Sequence, residues 1–201
     1  MSDASCGMLL PSSAAEALND PNWKEAMDRE YQSLMDNNVW SLVAKPEGRS
    51  VIGSKWHFAY KMDAQGNIVK YKARFVARGF TQLAGIDYNE TFSPTARIST
   101  LRLALALGVS MGIQFHQMDI KTAFLNAPID EVIYIQQPEG YEQGNGLVCL
   151  LAKSLYGLKQ SGKNWYKRLM RRLKALGFIS SVHDICLLFK RDGEHLGCVG
   201  R

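Results

Sequence analysis

The sequence has few cysteines and no long hydrophobic run, and both scarcities exclude classes of protein. Its four cysteines, at positions 6, 149, 186 and 198, form no Cys-x-x-Cys pair and no compact framework. This spacing favours a reduced protein over a secreted, disulfide-bonded one. No apolar run reaches the roughly 18 residues that a membrane-spanning helix needs, and the first residues show no secretory-signal pattern. We therefore expect an intracellular protein, cytoplasmic or nuclear, without a membrane partner.

Acidic residues are scarce in the two stretches that carry most of the basic charge. Residues 153–174 contain eight lysines and arginines and no acid, and residues 55–78 contain six with one acid, Asp63. The whole chain has 24 basic against 19 acidic residues. A segregated positive charge of this kind is typical of proteins that bind phosphate-rich ligands.

The N-terminal third predicts a tail, a helix and a hairpin. Residues 1–18 are small and polar apart from Met8-Leu9-Leu10, and they predict a disordered tail. Asp20 and Pro21 are typical of a helix start, and the helix should run to about Asn37. An apolar stripe at helical spacing predicts its core-facing side; this stripe comprises Trp23, Met27, Tyr31 and Leu34. Residues 51–61 and 68–76 predict a hairpin closed by a loop with Gly66.

The remaining patterns predict an α+β protein. Residues 100–111, capped by Ser99, predict a helix that is apolar on nearly all sides and therefore buried. A basic amphipathic helix is predicted over 161–176, ended by Gly177. Short apolar runs predict strands; these are residues 131–136, 147–151, 185–189 and 195–199.

The basic residues of the hairpin allow two interpretations. They are Lys55, Lys61, Lys70, Lys72, Arg74 and Arg78. One interpretation is a solvated surface. The other is a surface that grips phosphate, because lysine and arginine give charge-assisted hydrogen bonds without having to lose a proton.

A single carboxylate, Asp119, lies in the largely apolar stretch of residues 113–129. Burying an acid is costly unless it is paired or bound to a metal. We interpret the residues before Asp119 as a strand that delivers it to its end, and Asn126-Ala127-Pro128 as the turn that follows. The alternative is an edge-strand aspartate that faces water.

Two further motifs are weaker. Residues 157–164 nearly match the P-loop pattern, but Asn164 stands where a hydroxyl must reach the magnesium ion. His183 and Cys186, with His195 and Cys198, repeat a spacing that suits a tetrahedral zinc site, but both cysteines lie in apolar segments where cysteine acts as a small hydrophobe. A P-loop nucleotide-binding protein and a zinc-binding protein are therefore minor alternatives.

Taken in order, five blocks resemble the reverse transcriptase domain of Ty1/copia-type retrotransposon polyproteins. The blocks are NDPNWKEAMDREYQSL, VIGSKWHFAYKMDAQGNIVKYKARFVARGF, DYNETFSPTARISTLR, FHQMDIKTAFLNAPIDEVIYIQQPEGY and SLYGLKQSGKNWY. The resemblance extends from about Leu18 to Cys198, and it makes 19–201 one domain. It implies a right-hand polymerase fold with fingers and an incomplete palm, without a thumb, and templated DNA synthesis.

The resemblance also implies roles for individual residues. Asp119 matches the first catalytic aspartate, which binds two Mg²⁺ ions (or Mn²⁺) together with the backbone carbonyl of Ile120. Phe124 matches the aromatic residue that rejects a ribose 2′-hydroxyl. The remaining matches concern the incoming nucleotide and comprise Lys72, Arg74, Arg78, Gly157, Lys159 and Gln160. Lys163, Lys167 and Arg171, on the basic helix, are expected to contact nucleic acid, although Gly162-Lys163 stands where many members have Pro-Arg.

One departure from the family concerns activity. The family's Tyr-x-Asp-Asp turn, which supplies two further metal-binding aspartates, is absent from the sequence. One carboxylate cannot hold two magnesium ions against their mutual repulsion. We therefore expect the chain to be inactive on its own, a non-catalytic nucleic-acid-binding remnant being the alternative. The implied partners are an RNA or DNA template with primer, deoxynucleoside triphosphates and the rest of the polyprotein.

Overall fold

The N-terminal region of the computed structural model is helical. The structure describes residues 9–192 and 195–200. Helix α1 (Ala14–Leu18) begins at Ser13, whose hydroxyl accepts a hydrogen bond from the Glu16 N–H, and it buries Ala14 and Ala17. The prediction of a disordered tail up to Leu18 is therefore wrong for this helix, because two small apolar side chains enter the core. Residues 1–8 lie outside the described residues.

Helix α2 (Pro21–Asp36) confirms the predicted first long helix. The Asp20 carboxylate accepts hydrogen bonds from the N–H groups of Asn22 (2.8 Å) and Trp23 (3.3 Å), which satisfies two of the unpaired donors of the first turn. Trp23, Met27 and Leu34 are buried. The helix lies against the hairpin described next and supplies one side of the core.

Strands β3 (Ser54–Met62) and β4 (Ile68–Ala77) form the predicted antiparallel hairpin. Its loop has Gly66 at φ +85°, the left-handed conformation that glycine adopts most readily. Because side chains alternate along a strand, Trp56 and Phe75 are buried on the core face. The opposite face carries the basic residues in paired register, with His57 beside Arg74 and Lys61 beside Lys70.

The outer edge of β4 is covered by side chains of α2. The Phe75 N–H donates to Oε1 of Glu30 at 3.3 Å, and Nη2 of Arg29 donates to the Tyr71 carbonyl at 3.5 Å. An uncovered strand edge offers unpaired backbone groups to other chains, so these contacts close the side of the hairpin against α2.

A four-stranded sheet completes the core. It comprises β1 (Trp40–Ala44), β2 (Val51–Ile52), β5 (Tyr134–Ile135) and β6 (Leu147–Leu151). The spatial order is β1-β6-β5-β2, with β2 and β5 parallel and the other pairs antiparallel. The predicted strand at 147–151 is confirmed, whereas only two residues of the predicted strand at 131–136 pair as a strand.

The C-terminal part contains the predicted basic helix and hairpin. Helix α4 (Ser161–Ala175) is followed by Gly177 at φ +87°. Strands β7 (Ile179–Ser180), β8 (Leu187–Asp192) and β9 (His195–Gly200) form an antiparallel sheet in that order. Within the described residues, no helix combines the length and apolar composition that crossing a bilayer requires.

Helix α3 (Ile98–Ser110) corrects the prediction of a buried helix. It begins before Ser99, with Arg97 as the N-cap residue. Gly108 is its one buried residue, while Leu103 and Val109 are 61% and 71% exposed. The helix is apolar, as its sequence indicates, but no layer of the described residues covers these side chains.

Candidate functional site

Three segments that are distant in sequence meet at Tyr156. The guanidinium of Arg74 on β4 lies 5.2 Å from the centre of the Tyr156 ring, over its face. The ring of Phe124, in the short 3-10 turn Ala123–Asn126, lies 4.8 Å from the same ring at 62°. Cation–π and edge-to-face contacts of this geometry are attractive. We call these three half-buried residues, Arg74, Phe124 and Tyr156, the Tyr156 junction.

Two glycines allow the backbones to approach beside this junction. The Ala77 N–H at the end of β4 donates to the Tyr156 carbonyl at 2.8 Å. A β-carbon added at Gly157 would lie 2.1 Å from the Ala77 carbonyl oxygen, and one added at Gly79 would lie 2.0 Å from the Gly157 carbonyl oxygen. Since no side chain fits in either place, the end of the hairpin and the loop before α4 are held in direct contact.

Lys159 and Gln160, both predicted nucleotide-binding residues, are attached to the loop that follows the hairpin. Oε1 of Gln82 accepts a hydrogen bond from the Lys159 N–H at 2.8 Å, and Nε2 of Gln82 donates to Oε1 of Gln160 at 3.0 Å. The Lys159 ammonium lies 3.2 Å from the Tyr88 hydroxyl and 4.7 Å from the centre of that ring. Lys159 is exposed, whereas Gln160 has no exposed surface.

The burial of Gln160 limits its role. Its Nε2 donates to the Asp87 carbonyl at 2.8 Å, and its Oε1 accepts from Gln82. A side chain whose donor and acceptor are both used inside the protein cannot also contact a nucleotide without a rearrangement. In this structure Gln160 holds the loop, and Lys159 is the member of the pair that faces solvent.

The outer face of the hairpin concentrates positive charge. Burial and the neighbouring charges of Arg74 and Lys61 lower the pKa of Lys72, against a smaller opposing effect of Glu30. Arg74 lies over the Tyr156 ring, whereas Lys72 lines a shallow pocket with Glu30 beside α2. The carbon chain of Arg78 packs over Gly53. The three predicted triphosphate cations are therefore on one hairpin, and Arg74 is the one that contacts the junction.

The structure corrects the predicted strand before Asp119. Residues 113–120 form neither helix nor strand, and Asp119 is exposed. The stretch instead folds back on α3: the Ile113 N–H donates to the Gly108 carbonyl at 2.8 Å, and the Phe115 ring covers Gly108. An apolar sequence becomes a strand only where a neighbouring strand supplies hydrogen bonds, and the described residues supply none here.

The backbone between Asp119 and Phe124 is strained. Thr122 has φ +52° and ψ +42°, the left-handed conformation, which is rare for a β-branched residue. Such strain costs roughly 1–3 kcal/mol and often marks a functional segment. It directs the chain into the turn that carries Phe124, so the conformation of Thr122 helps to place that ring at the junction.

The available ligands do not make a complete metal site. Magnesium prefers carboxylate and other hard oxygen ligands. Among the described residues, no group of three or more His, Cys, Asp and Glu side chains could hold a metal ion. Asp119 can supply one such ligand, and the exposed Ile120 follows it. These residues could contribute to a site for Mg²⁺ but do not fit two ions by themselves.

The predicted nucleic-acid residues of α4 differ in availability. Nζ of Lys163 forms an ion pair with Glu90 at 3.0 Å, and the Lys163 side chain is only 12% exposed. Lys167 and Arg171 are exposed, as are Arg168, Arg172 and Lys174. Helix α4 packs against the turn Ala123–Asn126. The exposed cations of α4 therefore lie on a helix that packs against the turn carrying Phe124, whereas Lys163 forms an ion pair.

The P-loop alternative conflicts with the hydrogen bonds of its loop. A P-loop presents free backbone N–H groups to phosphate. Here the N–H groups of Leu158, Lys159 and Ser161 donate to Leu155, Gln82 and Leu158, and Nδ2 of Asn164 donates to Ser154. Three backbone donors of the loop are therefore already used inside the protein, which counts against a phosphate cradle.

The zinc alternative receives no support from its first pair of residues. Cys186 is buried and His183 is exposed beside a cavity of about 450 Å³. The side chains of His195 and Cys198 lie outside the described residues.

Sequence reasoning missed Tyr156, Gly79 and Gln82. Tyr156 lies in the block SLYGLKQSGKNWY, directly before Gly157, a predicted nucleotide-binding residue. This position in the sequence could have indicated that Tyr156 belongs to the site. Gly79 and Gln82 lie in a loop without periodicity, and their contacts are with residues more than 70 positions away. Only the tertiary structure reveals them.

Comparison with known proteins identifies similar sequences along almost the whole chain. A family model described as "Reverse transcriptase (RNA-dependent DNA polymerase)" matches residues 37–200. The Retrovirus-related Pol polyprotein from transposon TNT 1-94 of Nicotiana tabacum is 40% identical over 92% of this chain, and that from transposon RE1 of Arabidopsis thaliana is 36% identical over 92%. The Transposon Ty1-DR5 Gag-Pol polyprotein of Saccharomyces cerevisiae is 35% identical over 84%.

The matched polyproteins are much longer than this chain. It covers 14%, 13% and 10% of the three, respectively. No solved structure matches it.

Proposed function

The chain belongs to the reverse transcriptase (RNA-dependent DNA polymerase) family, as a copia-type domain of retrotransposon Pol polyproteins, and on this premise we propose that it forms the part of the polymerase that binds the incoming nucleotide and the template. In this proposal the β3–β4 hairpin belongs to the fingers, and α4 with the turn Ala123–Asn126 belongs to the palm of a right-hand polymerase. The ligands are deoxynucleoside triphosphates and a primed RNA or DNA template.

The Tyr156 junction is the observation that supports this proposal most strongly. A nucleotide site needs a cation for the triphosphate beside a surface for the sugar. Arg74 is one of the three cations, with Lys72 and Arg78, that the family resemblance places at the triphosphate, and Phe124 is its match for the sugar. Both contact the Tyr156 ring. Residues that are 50 positions apart in the sequence thus come together at one ring. Lys159 extends from the same loop as Tyr156 and adds a second cation, which is exposed.

The charge of the hairpin favours a phosphate ligand. Its outer face carries cations in adjacent register positions, and Lys61 lies directly opposite Lys70. Like charges placed opposite each other destabilise a sheet, and a bound polyanion would offset that repulsion. Burial is the main cause of the lowered pKa of Lys72, and repulsion by Arg74 and Lys61 lowers this pKa further.

Asp119 is proposed as a magnesium ligand, with the backbone carbonyl of Ile120 as a second; Mn²⁺ could replace Mg²⁺. When bound, the ions would stabilise charge on the phosphate oxygens during nucleotidyl transfer. Asp119 is exposed and therefore accessible to a metal–nucleotide complex. Because the described residues offer no group of three metal ligands, the proposal is that this chain binds nucleotide but does not polymerise DNA by itself.

A second candidate function is nucleic-acid binding without chemistry. The exposed cations of α4 favour it, since Lys167, Arg171 and their neighbours face solvent along one helix. Arginine and lysine on such a surface bind phosphates through release of counterions, with affinity that falls steeply with salt. This function would use α4 whether or not the nucleotide site is complete.

Primer extension and nucleotide binding together test the proposal. With a primed RNA template, deoxynucleoside triphosphates and Mg²⁺ or Mn²⁺, the purified chain should leave the primer unextended but bind dTTP. Extension that disappears in Asp119→Ala would overturn the proposed inactivity while supporting the role of Asp119. Absence of dTTP binding together with retained nucleic-acid binding would favour the second candidate.

A further inference from the structure

We infer that Gln82 is a positioning residue of the nucleotide site and acts through Lys159. This inference rests on the proposed function, because it assigns a purpose to the loop that carries Lys159. Gln82 is 3% exposed and lies in the loop after the β3–β4 hairpin. It cannot contact a ligand directly, so its influence must pass through the residues that it holds.

The hydrogen bonds around Gln82 form a chain with one direction. The Lys159 N–H donates to Oε1 of Gln82 at 2.8 Å, and Nε2 of Gln82 donates to Oε1 of Gln160 at 3.0 Å. Nε2 of Gln160 then donates to the Asp87 carbonyl at 2.8 Å. Each amide thus accepts from one side and donates to the other. Hydrogen bonds in such a buried chain reinforce one another.

The Asp87 carbonyl fixes the orientation of the whole chain of amides. A carbonyl can only accept, so the NH₂ group of Gln160 must face it and Oε1 of Gln160 must face Gln82. The NH₂ group of Gln82 must then face Gln160, which leaves Oε1 of Gln82 directed at the Lys159 N–H. Rotating either amide would bring two acceptors together in a buried place, which is costly. Gln82 therefore has one allowed orientation.

Gln82 holds Lys159 at both ends of that residue. Its side chain accepts from the Lys159 backbone N–H, and its backbone carbonyl lies 3.3 Å from the Lys159 ammonium. The Tyr88 hydroxyl and ring complete the surroundings of the ammonium. A cation whose backbone and charged group are both fixed before binding loses less conformational entropy when it meets a phosphate.

Binding measurements with two variants test this inference. Gln82→Met keeps the size of the side chain and removes both of its hydrogen bonds. Gln137→Met is the matched control, because the Gln137 side chain likewise accepts from one backbone N–H, that of Gln143, and donates through its NH₂ group, here to the carbonyls of Gln143 and Leu147, but in a different loop. The affinity for dTTP with Mg²⁺ should fall about tenfold in Gln82→Met, as expected for lost preorganisation, and should be unchanged in Gln137→Met at matched thermal stability.

A double-mutant cycle separates positioning from a merely structural role. If Gln82 acts through Lys159, adding Gln82→Met to Lys159→Ala should cause no further loss of dTTP affinity. Additive losses, or an unchanged affinity in Gln82→Met, would overturn the inference while the proposed function stands.

Amide hydrogen exchange keeps the test independent of nucleotide binding. In Gln82→Met the Lys159 N–H should exchange much faster than in the unsubstituted chain, while the core amide of Trp56 is unaffected. If the unsubstituted chain does not bind dTTP, the nucleotide part of the proposed function fails and so does the assigned purpose of Gln82, whatever the exchange shows. Unchanged exchange at Lys159 would show that Gln82 does not hold that residue.

Discussion

Gly79 and Gly157 touch through their backbones at the point where the hairpin meets the loop before α4. A β-carbon at Gly79 would lie 2.0 Å from the Gly157 carbonyl oxygen, far inside any real contact. Gly157 itself has φ +89°, and its own added β-carbon would lie 2.1 Å from the Ala77 carbonyl oxygen. This contact sets the spacing between the hairpin cations and Lys159.

Replacing Gly79 by Ala should destabilise the chain by about 1–3 kcal/mol, the usual cost of forcing atoms into a packed place. Gly157→Ala should cost more, since strain at a left-handed position adds to the clash. The free energy of unfolding from urea titration measures both effects.

Gly66→Ala is the control for the conformational part alone. Gly66 has φ +85°, and a β-carbon there meets nothing within 4 Å. It should therefore show the strain of the positive φ without the clash. Equal losses in Gly66→Ala and Gly157→Ala would contradict a backbone contact at Gly157.

Tyr156 should contribute to stability through its ring and not through its hydroxyl. Tyr156→Leu removes the cation–π contact with Arg74 and the aromatic contact with Phe124, which together should cost about 1–2 kcal/mol. Tyr156→Phe keeps both and should stay close to the unsubstituted chain. The comparison uses urea unfolding, and a larger loss in Tyr156→Phe than in Tyr156→Leu would argue against the junction.

Glu30 should make stability depend on pH. Burial raises the pKa of this carboxyl, against the opposing effects of the Phe75 N–H, Arg74 and Lys72. The folded state then holds the proton of Glu30 more tightly than the unfolded state does. Protonation of Glu30 therefore stabilises the folded chain fully below the ordinary glutamate pKa, and this contribution is lost as pH rises through the higher folded-state pKa.

Glu30→Gln should therefore raise the free energy of unfolding at pH 7 and lose this advantage in acid. The amide oxygen can still accept from the Phe75 N–H, so the geometry is kept. Glu25→Gln, at an exposed position on the same helix, is the control. The free energy of unfolding, measured from acid to pH 7 for each variant, tests this prediction. A Glu30→Gln chain that is less stable than the unsubstituted chain at pH 7 would contradict a raised pKa of Glu30.

The exposed cations of α4 should determine the salt dependence of nucleic-acid binding. Replacing Lys167 and Arg171 together by Ala should reduce the slope of log affinity against log salt by about 2 on duplex, roughly 0.9 per phosphate contact. Lys163→Ala should leave the slope unchanged, because Lys163 is paired with Glu90. Fluorescence anisotropy at several salt concentrations tests this, and a slope sensitive only to Lys163 would be the opposite result.

The sequence predicted those elements whose signals are local. Helix α2 was marked by Asp20 and Pro21 at its start, and the hairpin by Gly66 in its loop. These signals depend on neighbours a few residues away. The basic residues of the hairpin likewise fell on one face, because alternation along a strand is a local property.

Features that depend on distant partners were not predictable in the same way. The apolar sequence of α3 indicated burial, but coverage requires another element, and the structure leaves Leu103 exposed. Residues 113–120 read as a strand and have no strand partner among the described residues. The pairs Lys163–Glu90 and Gln82–Gln160 join positions more than 70 apart, where no spacing rule applies.

Binding of dTTP with Mg²⁺ to the purified chain tests the central claim most directly. Calorimetry should show binding to the unsubstituted chain that weakens about tenfold in Arg74→Ala and in Lys159→Ala, since each removes one charge-assisted contact to phosphate. Lys24→Ala, which removes a cation paired with Asp28 on α2, should bind like the unsubstituted chain. Equal binding by all four proteins, or none by any, would contradict a nucleotide site at the Tyr156 junction.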